Sequence, residues 1–239
     1  MMSLMNLFRR ARSRYRQFVG ADLRHRLQVR LPRTELLGKL DADWCIRPDG
    51  LAPGSILYSF GVGMDVSFDL AMIERFGLTV HAFDPTPRSI EWVAGQKLPE
   101  QFVFHPYGLA AEDGELKMFA PEDPKHVSYS ILPEPGQAGE AISMPVYQLD
   151  TIAEMLGHDK VDIVKIDVEG AEYEIIDRLA ELRTDVTQLL IEFHHIHKKG
   201  VSKQATARAI RQLNDLGYRV FYISVSGAEY SFLRGEATP

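Results

Sequence analysis

The 239-residue sequence is poor in cysteine, has no long apolar run, and lacks one glycine where a common nucleotide fold would require it. Cys45 is the only cysteine, so an internal disulfide is excluded and a cysteine-based metal site is not expected; the expected setting is reducing and cytoplasmic. No stretch of about 18 apolar residues appears, so no membrane-spanning helix is expected. With 45% hydrophobic, 10% aromatic and 25% charged residues, the chain also falls outside disordered and fibrous compositions.

The charge is unevenly spread. Residues 1–40 carry ten basic and two acidic side chains, a net +8, whereas residues 41–239 carry 17 and 31, a net −14. An acidic body with a basic arm argues against a broadly nucleic-acid-binding surface. Within the arm, Leu4, Leu7, Phe8, Ala11, Tyr15, Phe18 and Val19 recur at helical spacing, with Arg9, Arg10, Arg12, Arg14 and Arg16 on the remaining surface. Residues 1–50 therefore read as a basic amphipathic helical arm and residues 51–239 as one catalytic domain. The apolar stripe of residues 3–19 suits packing on the domain, packing on a second copy in a homodimer, or peripheral contact with an anionic membrane, and its period does not separate these.

Beyond residue 50, short apolar runs alternate with helical periods. Strands are expected at Ser55–Phe60, Leu78–Phe83, Gln101–Tyr107, Val161–Ile166 and Val186–Phe193, with two closing strands, Tyr218–Val225 and Glu229–Leu233, joined around Gly227. Helices are expected at Ser67–Phe76, from Thr86-Pro87 toward Gly95, from a capping box at Asp150 or Thr151 with Glu154, and over Glu172–Leu182 and Ser202–Leu216. Residues 111–140, rich in proline and glycine, read as an irregular excursion whose His126, Ser128, Tyr129 and Ser130 could meet an acceptor. This alternation describes an α/β doubly wound parallel sheet.

The first strand runs into Ser59-Phe60-Gly61-Val62-Gly63-Met64-Asp65 and then a helix, so a glycine turn and a helix N-terminus face the same place. Asp84 ends the next strand, 23 residues after Gly61, where an acid can accept hydrogen bonds from both hydroxyls of an adenosine ribose. A dinucleotide site would place a third glycine three residues after Gly63, and that position is Val66. A nicotinamide-dependent oxidoreductase is thereby disfavoured. The paired closing strands suit instead the seven-stranded sheet of class I S-adenosylmethionine-dependent methyltransferases, Rossmann-like with helices on both faces and an antiparallel C-terminal strand.

The most informative stretch is Asp162-Ile163-Val164-Lys165-Ile166-Asp167-Val168-Glu169-Gly170-Ala171-Glu172, which sets two acids, Asp167 and Glu169, at the carboxyl end of a buried strand. Glu172 and Glu174 follow in the first turn of a helix, where a dipole role and a solvated face suffice. Lys165 through Glu172, Val80-His81-Ala82-Phe83-Asp84-Pro85-Thr86-Pro87 and Ile191-Glu192-Phe193-His194 together resemble the FkbM-type methyltransferases over roughly residues 55–195. The resemblance implies S-adenosylmethionine as cofactor and methylation of a hydroxyl on a carbohydrate or secondary metabolite. It implies a cofactor site at Ser59, Phe60, Gly61, Gly63, Asp84, Pro85 and Gly108, with Asp167 beneath the sulfonium. Ser59 stands where the family usually ends its first strand with an acid, and Asp65 is a candidate to contact the cofactor's amino group or to cap the helix.

An aliphatic hydroxyl needs a base within about 3 Å. Asp167, Glu169, Glu192, His194 and His195 are the candidates, and the titration range of neutral imidazole favours a histidine. Asp167, Glu169 and His194 are the expected catalytic residues. His194-His195-x-His197 with Asp167 could instead hold a divalent ion, or form a surface run; no metal is the preferred expectation. A non-catalytic adenosine-binding module is the remaining alternative. The expected partners are the cofactor and a small-molecule or glycan acceptor, without nucleic acid.

Overall fold

A computed structural model describes residues 4–24, 26–39, 42–118, 142–196 and 201–235. Helix α1 spans Leu4–Phe18, and a short antiparallel hairpin pairs β1 (Glu35–Leu37) with β2 (Trp44–Ile46). The alternating part begins with β3 (Ile56–Phe60), α2 (Ser67–Phe76), β4 (Thr79–Phe83), α3 (Pro87–Ala94) and β5 (Phe102–His105). Three strands follow, β6 (Gly108–Leu109), β7 (Gly114–Met118) and β8 (Ile142–Tyr147). The chain continues with α4 (Leu149–Leu156), β9 (Lys160–Ile166), α5 (Glu172–Arg178), β10 (Asp185–Glu192), α6 (Lys203–Asp215), β11 (Tyr218–Ile223) and β12 (Glu229–Arg234).

Seven strands form one sheet in the order β11-β12-β10-β9-β3-β4-β5. Neighbours from β5 to β10 are parallel, and β12 is antiparallel to both β10 and β11. This is the expected class I methyltransferase sheet. Its direction of winding reverses between β3 and β9, and ligands of such sheets bind beyond the strand ends at that switch point.

Alternation along each central strand feeds two cores, because successive side chains point to opposite faces. Tyr58 and Phe60 of β3 join Val164 and Ile166 of β9 under α4, α5 and α6. Leu57 of β3 and Ile163 of β9 join Phe68, Met72 and Ile73 of α2 on the other face. These six strand side chains are all fully buried, which stabilises the sheet by roughly 1.5–3 kcal/mol per side chain.

The arm differs from its expected form. Among the described residues it is helical only over Leu4–Phe18, and the later part packs into the body, with Trp44, Cys45 and Ile46 buried. The excursion from 111 to 140 is likewise more ordered at its edges than its turn residues suggest. The alternating residues of β7 and β8 pair antiparallel, while His126, Ser128, Tyr129 and Ser130 lie outside the described residues. The capping box at α4 is not formed. Thr151 donates instead to Asp113 at 2.8 Å, and the Asp150 carboxylate accepts the amides of Arg183 and Thr184, tying α4 to the start of β10.

Candidate functional site

The loops at the carboxyl ends of β3, β4, β9 and β10 enclose a cleft of about 470 Å³, within the usual range for a small-molecule site. Phe60, Gly61, Gly63, Asp65, Asp84 and Pro85 line it, as do Gly108, Asp167 and Glu169. Of the expected cofactor residues only Ser59 lies behind the wall, fully buried on the α2 face of the sheet.

Gly61 shows why the turn needs glycine. Its φ is +83°, and a Cβ there would lie 1.8 Å from the carbonyl oxygen of Asp167. The first turn is thus pressed against the end of β9, and Asp167 is held by its amide donating to the Phe60 carbonyl at 3.2 Å. Asp84 is almost as fixed. Its carboxylate accepts the Gly63 amide at 2.9 Å and both the amide and hydroxyl of Thr86, at 2.9 and 2.6 Å. A carboxylate has about four acceptor positions, so one remains for a ribose hydroxyl. Gly108 closes this end, since a Cβ there would come within 3.1 Å of Pro85.

Asp65, just before the N-cap Val66, accepts the Ser67 amide at 2.7 Å and faces Lys39 at 3.6 Å, so its carboxylate braces the first turn of α2 while still lining the cleft. The N-cap position itself is Val66, so Asp65 does not occupy the capping position expected of it.

The far wall is rich in carboxylates, with Asp167, Glu169, Glu192 and Glu229 all lining the cleft. Glu169 has φ 54°, the one non-glycine residue with positive φ among those described. A left-handed backbone at a side chain that is not glycine costs on the order of 1 kcal/mol, and such strain concentrates at functional loops. Behind this wall stands His194. Its Nε2 lies 3.8 Å from Asp167 and 3.7 Å from Glu169. On the other side, Glu172 Oε1 accepts the His194 backbone amide at 3.0 Å and meets its Nδ1 at 3.2 Å, while Glu172 Oε2 accepts the Gly170 amide at 2.8 Å.

This environment revises the expectation of a neutral imidazole. Burial pulls the His194 pKa down, but the hydrogen bond and charge of Glu172, with the charges of Glu192 and Asp167, outweigh it and push it to about 9. His194 is therefore an imidazolium at neutral pH, buried and outside the cleft lining. Glu192 is shifted in the same sense, up to about 8, by burial and by the negative charges of Asp167 and Glu229. Burial also raises Asp167.

Asp167, Glu192 and His194 each bring one ligand atom within 4.8 Å of the others. A divalent ion there would require His194 to surrender the proton that its neighbours retain. His195, in the turn that follows β10, points elsewhere. Its Nε2 meets Asp22 at 2.9 Å and its Nδ1 meets Thr206 at 3.0 Å, a buried latch between the segment after α1 and the body. His197 lies outside the described residues.

Lys165, Asp69, Glu172 and Glu229 belong to the site or its support without having been singled out for it. Lys165 had a visible sign, a charge inside an apolar strand. Asp69 had a fainter one, an acid on the buried side of α2. Glu172 reads as an ordinary first-turn acid until the fold brings β10 against it.

The sequence profile of the Methyltransferase FkbM domain matches residues 56–220. Probable methyltransferase-like protein 24 of Homo sapiens is 24% identical over 177 residues, covering 70% of this chain and 42% of that protein. The Rattus norvegicus protein of the same name is 25% identical over 177 residues with the same coverage. The chain thus spans less than half the length of the curated relatives it matches. Among solved structures, an FkbM methyltransferase from Methylobacillus flagellatus has a TM-score of 0.47 at 12% identity, covering 79% of this chain and 44% of that one. Magnesium protoporphyrin IX methyltransferase from Synechocystis, solved with bound S-adenosylmethionine, has a TM-score of 0.40 at 15% identity, covering 78% and 73%. The profile match spans more than half the chain, which belongs to the FkbM methyltransferase family, with S-adenosylmethionine as its cofactor.

Proposed function

We propose that the chain is the catalytic domain of an O-methyltransferase that acts on a hydroxyl of a carbohydrate or related small molecule. The observation that carries this reading is the carboxylate wall beside the glycine turn, because a hydroxyl must lose its proton as it attacks. S-adenosylmethionine, when bound, supplies an electrophilic methyl group. Gly61, Gly63 and Asp84 would hold the adenosine end, and the orientation they impose would supply part of the acceleration by aligning the reacting atoms. Glu192 takes the proton from the hydroxyl. It lines the cleft, and a carboxyl raised to about 8 is a stronger base than an ordinary one. Asp167 would lie near the sulfonium and Glu169 near the acceptor, since both line the cleft beside the glycine turn. His194 holds these carboxylates in place from behind and is a positioning residue. The acidity of the wall also supports an acceptor other than a polyanion such as nucleic acid.

Calorimetric titration checks the cofactor side of this reading. S-adenosylhomocysteine is expected to bind and NAD is not; the reverse order would make the chain an oxidoreductase. An acceptor screen with labelled donor checks the chemistry. Binding without transfer to any hydroxyl compound would favour a non-catalytic module.

We further propose that α1 lies on an anionic membrane. Phe8, Tyr15 and Phe18 are exposed at 74%, 66% and 88%, so the body leaves this face of the stripe uncovered, and Arg12 and Arg14 are exposed with it. No helix among the described residues is long and apolar enough to cross a bilayer. The full chain is expected to float with phosphatidylserine-containing liposomes, and the triple variant with serine at residues 8, 15 and 18 is expected to stay in the dense fraction. Equal flotation of the two would refute the membrane contact.

A further inference from the structure

The turn between β11 and β12 closes on one side chain. Ser224, Ser226 and Gly227 lie in it, and Glu229 opens β12. Both serine hydroxyls donate to Glu229 Oε2, that of Ser226 at 2.5 Å. Each hydroxyl oxygen in turn accepts a backbone amide, Ser226 that of Ala228 at 3.0 Å and Ser224 that of Glu229 at 3.3 Å. An amide directed at a serine oxygen leaves the hydroxyl proton to point at the carboxylate, and hydroxyl donors favour the charged form of a carboxylate.

Glu229 stands directly opposite Glu192 in the antiparallel ladder. Directly opposed side chains approach to about 5 Å at Cβ, and like charges there destabilise a sheet. The rest of this ladder pairs neutral side chains, Gln188 with Leu233 through Ile191 with Tyr230. The opposed acids come at its last step, and both line the cleft. Their hydrogen bonding is unequal. Glu229 is clamped, whereas among the described residues no hydrogen bond holds the Glu192 carboxylate. The other charges around Glu192 are Lys165 and Asp167 of the β9 end and His194 beyond its own strand, with Asp43, Asp69 and Glu169 on the other sides of the cleft. Burial and the charges of Asp167 and Glu229 outweigh the two cations and raise Glu192 to about 8.

Two carboxyls placed side by side hold one proton between them, because ionising both brings like charges together. We propose that Glu192 and Glu229 form such a pair, in which the serine clamp gives the negative charge to Glu229 and leaves the proton to Glu192. Glu229 is then a positioning residue that acts through Glu192. The clamp leaves the proton on the member that no hydrogen bond restrains, the one free to turn toward a hydroxyl. The catalytic consequence rests on the proposed role of Glu192 as the base, whereas the pairing itself does not.

The test follows the carboxyls by carbon-13 NMR on the full chain, with glutamate labelled at the side-chain carboxyl. One resonance is expected to titrate near 8 and to be absent from Glu192→Gln. In Glu229→Gln its midpoint should fall to about 7 or below, a tenfold or greater loss of proton affinity. The rising limb of kcat/KM should move down with it. Alanine at both Ser224 and Ser226 keeps the two acids and frees Glu229, so a second glutamate resonance should join the titration in this range. A midpoint that stays near 8 in Glu229→Gln would overturn the pair. A single titrating resonance, unmoved in the double serine variant, would overturn the clamp, and that variant decides the matter if Glu229→Gln does not fold. Failure of the base reading is distinguishable: the resonances would behave as stated while the rising limb of kcat/KM persisted in Glu192→Gln.

Discussion

Alanine in place of Glu172 is expected to lower the unfolding free energy by about 3–5 kcal/mol, the cost of removing one partner of a buried ion pair. For a chain of this size the thermal midpoint should fall by roughly 10 °C. Glu172 is fully buried, and its two oxygens accept from the Gly170 amide and from both the amide and ring of His194. The variant leaves those donors without an acceptor and leaves a buried imidazolium without its counter-charge. Chemical denaturation of the two proteins at pH 7 measures the difference. A loss below about 1 kcal/mol would contradict the ion pair. The pH dependence gives a second reading of the same contact. His194 is held at about 9 against an ordinary value of 6.5, so its folded form binds the proton more tightly than its unfolded form. The stability it contributes is fully present below about 6.5 and is lost as pH rises through about 9. That alkaline loss should be much reduced in Glu172→Ala, because the largest stabiliser of the imidazolium has gone.

Glu172 also marks the limit of what the sequence discloses. The sheet was legible because its strands are apolar, short and bounded by turn residues, and because buried parallel strands such as Val161–Ile166 carry so little else. Gly61, Asp84 and Asp167 were legible for a related reason: glycine or an acid at a strand end serves little structural purpose. A local pattern does not report what a distant strand brings to a side chain. Glu172 lies in a helix first turn, where the dipole alone accounts for an acid, and only β10 against α5 reveals its partner. The charge of His194 is hidden in the same way, because an imidazole's solution pKa takes no account of the four carboxylates the fold brings around it. The strand pair β7 and β8 was hidden by the turn-forming residues between them. The hairpin β1 and β2 was hidden by the basic arm it follows, whose charge obscured the apolar Trp44-Cys45-Ile46.

The activity of Glu192→Gln is expected to fall by about 10²–10⁴-fold, the usual contribution of a positioned general base. Glutamine keeps the shape and a hydrogen-bonding oxygen but has no proton affinity near neutrality, so the loss reports proton uptake and not packing. The pH profile makes the assignment specific. Burial and the charges of Asp167 and Glu229 hold Glu192 at about 8, so kcat/KM should rise as pH increases through about 8 and the carboxylate forms. It should fall again above about 9, where His194 loses the charge that holds Asp167 and Glu169. The two limbs belong to the interacting set of groups, since a change at either alters the other. In Glu192→Gln the rising limb should vanish while the falling limb remains, because the imidazolium still titrates. With an acceptor from the labelled-donor screen, initial rates between pH 6 and 10 decide the matter. A rising limb that persists in Glu192→Gln would transfer the base role to Asp167 or Glu169. In His194→Gln the falling limb should vanish while the rising limb remains and moves to higher pH, because the imidazolium no longer lowers Glu192; that pattern, with S-adenosylhomocysteine binding retained, is the mark of a residue that acts through the carboxylates it holds.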